Sequence, residues 1–204
     1  MDFLLPLALA LAGCCWMLKA RLQQQRIAFL ARFLSRYSIE KEIETVTQGY
    51  LRALGEAEPG RREQIWNLLR ANEQELCRQM SQLADDFAAA DPAATRVSKL
   101  PIWVPFALAF AASFDMREAL RVHARGICRA IDGETARSPK DRAFAISAEL
   151  FLMQHTCHWF CRSKSVASAR MLSRHRTSYE QLTRAVLPQT RSEYLGLVSL
   201  TQGA

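Results

Sequence analysis

The chain has 204 residues, of which 50% are hydrophobic and 23% charged. That length fits one domain with a real core and is barely enough for two. Eight glycines and seven prolines exclude a collagen-like or low-complexity chain, and the apolar content excludes disorder as the main state. A net charge of +7 favours acidic partners: anionic lipid, nucleic acid or an acidic protein face.

Every readable segment carries the helical period, and none alternates strictly every second residue. The expected fold is all-α: an N-terminal transmembrane helix followed by a bundle of about six helices. Three segments divide the chain: a membrane anchor over 1–22, a helical segment with a short heptad-like helix over 23–92, and a helical core segment over 101–204.

Residues Phe3 to Leu18 contain no charge. As a helix they rise roughly 24 Å at about 1.5 Å per residue, a marginal match to a hydrocarbon core about 30 Å thick. Asp2 is the only charged side chain before the run, whereas Lys19, Arg21, Arg26, Arg32 and Arg36 follow it with no acid until Glu40. Lys19, Arg21 and Arg26 are the expected membrane-interface residues. The positive-inside rule then predicts a single-pass protein with the bulk of the chain in the cytoplasm. Two other readings compete. Leu11-Ala12-Gly13-Cys14 resembles the lipobox of bacterial lipoproteins, which implies Cys14 as the acylated first residue of a cleaved chain. This sequence departs from that pattern in its missing basic leader and in the apolar Cys15-Trp16-Met17-Leu18 that follows. The third reading is a buried N-terminal helix of a soluble domain or oligomer.

The anchor helix is expected to continue through Arg36. A second helix, capped by Ser38 and stopped by a left-handed Gly55, carries Ile39, Ile43, Val46, Tyr50, Leu51 and Leu54. Pro59-Gly60 reads as a turn. Beyond it Ile65, Leu69, Asn72, Leu76, Met80, Leu83 and Phe87 recur at three- and four-residue steps, as in a bundle helix or a short dimerising coil. Residues 93–101 form the linker. Ile102 to Phe114 is a second apolar run, too short for a span and suited to a core helix or a re-entrant segment.

Asp115 with Glu118 marks a new helix start, and Gly133 its end. Ser138-Pro139 starts the next helix, over about 139–162, which is apolar on two sides and therefore central. One further helix is expected over about 165–187, and Thr190 to Glu193 reads as a capping box for a last short one.

Four side chains between His155 and Cys161 are of zinc-ligand type. On one helix they spread over about 160°, so only Cys157, His158 and Cys161 share an arc, with His175 on the following helix as a fourth candidate. Packing in the core is the expected role of these residues, and a metal-dependent enzyme built on them is the alternative. The six cysteines are not spaced like a secreted disulfide framework, and a cytoplasmic chain keeps its thiols reduced.

Arg117, Arg121, Arg125 and Arg129 recur every fourth residue and make a basic ridge. Residues 162–191 are basic as well, with Arg162, Lys164, Arg170, Arg174, Arg176, Arg184 and Arg191 against Glu180 alone. These surfaces suit docking to membrane lipid or to an acidic protein. Nucleic acid is not expected, since no zinc-finger spacing, RNP aromatics or helix-turn-helix is legible. No phosphate loop, nucleophile elbow or dinucleotide fingerprint is present, so catalysis and a cofactor are not expected. The functional expectation is a membrane-anchored helical scaffold or assembly subunit, with a protein partner or a second copy. A lipoprotein-like or soluble helical domain binding acidic partners or nucleic acid is the alternative.

Overall fold

The computed structural model describes residues 4–133 and 138–199. Asp2 and the start of the first apolar run at Phe3 lie outside the described residues. Among those described, nine helices and one two-stranded ribbon follow each other as α1 (Leu4–Leu34), α2 (Ile39–Gly55), α3 (Pro59–Ala88), β1 (Arg96–Ser98), α4 (Ala107–Phe110), β2 (Ser113–Asp115), α5 (Met116–Asp132), α6 (Pro139–Cys161), α7 (Lys164–His175), α8 (Tyr179–Ala185) and α9 (Pro188–Val198). The all-α class holds.

The transmembrane expectation does not. Among the described residues, no helix is long and apolar enough to cross a membrane. The described apolar part of α1 runs over residues 6–18 and rises roughly 20 Å, against a hydrocarbon core of about 30 Å. Lys19, Arg21 and the Gln23-Gln24-Gln25-Arg26 stretch then end it. Without a span the basic residues after Leu18 have no orientation to set, and the placement of the bulk of the chain in the cytoplasm loses its basis.

Local signals account for most helix ends. Asp115 caps α5 by accepting from the Arg117 N–H at 2.9 Å, and Gly133 closes it with φ 75°. Ser138 caps α6 by accepting from the Asp141 N–H at 3.1 Å, with Pro139 in the first turn. Several expectations are corrected. Pro59 and Gly60 form the first turn of α3, where proline needs no partner for a missing N–H. Gly55 is the last residue of α2, and extended Glu56 ends the helix. The helix expected over 165–187 is two helices, because Arg176 turns left-handed at φ 54° and Ser178 starts α8 with a capping box closed by Gln181. The last helix starts earlier than the Thr190–Glu193 signal, and Thr190 is buried inside it.

The second apolar run is not a core helix. Pro101 and Pro105 hold most of it irregular. Only the short α4 forms, and Ile102, Phe106 and Phe110 are exposed. Its flanks are strands: β1 pairs antiparallel with β2, Val97 facing Phe114. The ribbon is held to α6 by the Trp159 indole N–H, which donates to Ser98 O at 3.1 Å, and by an edge-on Phe114–Trp159 contact.

Helices α5 and α6 are the centre of the bundle. Helix α3 packs on both α2 and α5, α9 packs on α5, and α6 meets α1, α2, α7 and α8. The heptad-like residues of α3 serve this packing within one chain: Leu69, Leu76, Met80, Leu83 and Phe87 are buried, and the Asn72 amide donates to Glu42 at 3.0 Å. A Cβ at Gly126 would come within 2.5 Å of Glu149 Oε2 and Thr190 Oγ1, so glycine permits the close approach there. Reduced thiols throughout are also corrected: Cys77 of α3 and Cys128 of α5 form a disulfide, their Cα atoms 5.0 Å apart.

Candidate functional site

Two features stand out on this frame. The first is an apolar pole. Every residue from 6 to 17 of α1 is exposed, and Leu7, Leu9, Leu11, Trp16 and Met17 are among the largest apolar side chains in the open, Trp16 at 70%. Where α1 reaches the body, Leu18 and Leu22 share a recess of about 330 Å³ with Ile102, Trp103 and Phe106, the last 78% exposed. The two apolar runs of the sequence thus meet where α1 joins the body. Contiguous apolar surface of this kind marks an interaction site.

The expected membrane-interface residues divide in their roles. Lys19 is half-buried and Arg21 exposed. Arg26 is instead a staple between elements. Its guanidinium donates to Phe160 O at 3.0 Å and Arg96 O at 2.9 Å and lies over the Phe160 ring. Burial lowers its pKa from the ordinary arginine value.

The α5 ridge exists, but each arginine meets a carboxylate. Arg117 pairs with Asp115 at 2.6 Å and Arg121 with Glu118, while Arg125 and Arg129 both reach Glu193 of α9, at 2.6 and 3.0 Å. The ridge is therefore largely neutralised within the chain.

The second feature is a groove of about 870 Å³ between α1–α2 and α6–α7. Leu30, Ile43, Met153 and Met171 form its buried apolar floor. Cys157, His158, Cys161 and His175, the candidate metal ligands, all line it. Among the described residues, however, no group of three His, Cys, Asp or Glu side chains could hold a metal ion. The structure assigns these residues other surroundings. Burial pushes the Cys157 thiol up to about 12 and the Cys161 thiol up to about 11, so neither is a thiolate at neutral pH. His175 stacks on Phe151, ring centroids 4.1 Å apart. His158 is held down to about 4, by burial first and then by Arg170, Arg174 and Arg162.

His155 faces away from the groove into the core, its Nε2 3.0 Å from Ser168 Oγ. The core also holds buried polar groups that sequence reading missed, His123 and Glu149. His123 Nε2 lies 2.9 Å from Thr156 Oγ1, which lies 3.1 Å from the Tyr194 hydroxyl. Glu149 is fully buried and accepts from the Leu187 N–H at 2.9 Å; burial raises its carboxyl to about 7. The signal was available. His123 falls at helical spacing among Leu120 and Ile127, and Glu149 among Ile146 and Met153, so each sits on its helix's apolar face.

No family model matches the chain, and neither curated proteins nor solved structures show a similar protein.

Proposed function

We propose that the chain is a non-catalytic assembly subunit that docks through its apolar pole. The observation that carries this reading is the projecting first half of α1, apolar on every side and exposed from residue 6 to 17. Such a helix gains most by being enveloped, and a bundle completed by a second copy or a partner's helices does that. The non-catalytic reading is consistent with histidines and thiols shifted away from neutral pH and with Glu149, raised to about 7, lying fully buried out of reach of substrate. The test compares sedimentation of the full chain with that of a chain lacking residues 1–17. The full chain should self-associate. The shortened chain should be monomeric with unchanged thermal unfolding, because the lost residues cover little core. Equal association of both chains would refute the reading, and flotation of the full chain with vesicles without self-association would replace the protein partner by lipid.

The Cys77–Cys128 disulfide favours a second reading. An exported chain would form it readily, and the Leu11–Cys14 resemblance to a lipobox then implies cleavage before the exposed Cys14. Intact mass separates the two. The assembly reading expects residues 1–13 to be retained, whereas the lipoprotein reading expects their loss with an added acyl mass that Cys14→Ser abolishes.

A further inference from the structure

We infer that the groove between α1–α2 and α6–α7 is a binding site for a single-chain amphiphile with one negative charge, a long-chain carboxylate. The inference concerns a different surface from the apolar pole and stands whether or not that pole mediates assembly.

Charge distribution selects the head group. Arg162, Arg170 and Arg174 project from the α6 end and α7 into one side of the groove. Among the described residues none of them forms a salt bridge, unlike the α5 arginines. Glu40 and Glu44 of α2 line the other side. His158 and His175, whose pKa values are both lowered, are neutral at pH 7. Three arginines against two glutamates leave one positive charge unmatched, which one carboxylate balances. The acidic side repels that carboxylate and so directs it to the α7 arginines, whose planar forks suit a carboxylate.

The floor selects the tail. Exposed Ile27 and half-buried Leu34 and Phe151 offer apolar surface in the groove, above the buried Leu30, Ile43, Met153 and Met171, whose methionine thioethers can adapt to a flexible alkyl chain. The groove volume of about 870 Å³ lies in the range of small-molecule sites. A polar anion would leave Ile27, Leu34 and Phe151 facing water, and a neutral hydrocarbon would leave the arginines unmatched.

The experiment titrates the full-length protein calorimetrically with laurate, with dodecanol and with dodecyl phosphate. Laurate should bind one to one, with dodecanol about tenfold weaker or worse, as the loss of a charge-assisted hydrogen bond implies. Rising salt should weaken laurate binding and leave dodecanol binding unchanged. The variant Arg170→Ala/Arg174→Ala changes exposed side chains, so its helical circular dichroism and thermal midpoint should match the parent. It should lose at least tenfold in laurate affinity and keep its dodecanol affinity. Undetectable laurate binding would overturn the proposal. So would equal affinity for laurate and dodecanol, laurate binding unchanged in the arginine variant, or a tenfold preference for the dianionic dodecyl phosphate.

Discussion

Opening the Cys77–Cys128 bond should lower the stability of the fold by about 4 kcal/mol. The bond joins neighbouring helices α3 and α5 across a sequence separation of 51 residues. A loop of that length removes conformational freedom from the unfolded chain, and the chain-entropy relation gives roughly 4 kcal/mol for it. In the folded state the same helices stay packed through Met80, Leu83, Leu120 and Ile127, so the reduced protein should fold to the same structure. Urea unfolding of oxidised protein, reduced protein and a Cys77→Ala/Cys128→Ala variant checks the magnitude. Thiol titration in denaturant checks the bond itself, with four reactive thiols expected before reduction and six after. Six thiols in protein purified without reductant would show that the two cysteines are not joined.

Acid should destabilise the protein through two buried histidines. Burial presses both His123 and His155 down to about 3, while in the unfolded chain histidine titrates near 6.5. Below pH 6.5 the unfolded chain takes up protons that the folded chain refuses. Each contribution is therefore complete above pH 6.5 and lost as pH falls towards 3, to a total of roughly 5 kcal/mol per histidine. Glu149 works in the opposite sense. Its folded pKa of about 7 lies above the ordinary 4.5, so its contribution is complete below pH 4.5 and is lost as pH rises through 7. That loss amounts to roughly 3 kcal/mol. The sum is a stability that falls with the slope of one proton as pH drops from 6.5 to 4.5, and with the slope of two below 4.5, where only the histidines still act. His123→Gln, which keeps a polar group near Thr156, should flatten the acid limb by one proton's worth of slope. Glu149→Gln should instead remove the loss on the alkaline side. An acid limb of unchanged slope in the His123 variant would show that this histidine is protonated in the fold.

The groove and the pole differ in how far the sequence announces them. The pole is written in two uncharged runs, and only its exposure and convergence needed the fold. The groove draws Glu40 and Glu44 from one helix and Arg170 and Arg174 from another more than a hundred residues away. No local spacing relates those positions, so the α7 arginines read as part of a general basic surface. The α5 ridge shows the converse. Its four-residue period is plain in the sequence, but Glu193, which neutralises Arg125 and Arg129, lies 68 and 64 residues downstream.

What the amino-acid sequence determined by itself is what acts within a turn or two of helix. The all-α class, the caps at Asp115 and Ser138, the left-handed stop at Gly133 and the buried stripe of α3 all follow from neighbours at most four residues apart. Tertiary structure decided the rest. It joined Cys77 to Cys128, buried Glu149 beside Gly126 and paired Arg125 and Arg129 with Glu193. These outcomes depend on contacts between elements distant in the chain, and such contacts override local preference because burial and pairing free energies exceed the few tenths of a kcal/mol by which most residues differ in helix propensity, about 0.7 at most apart from glycine and proline.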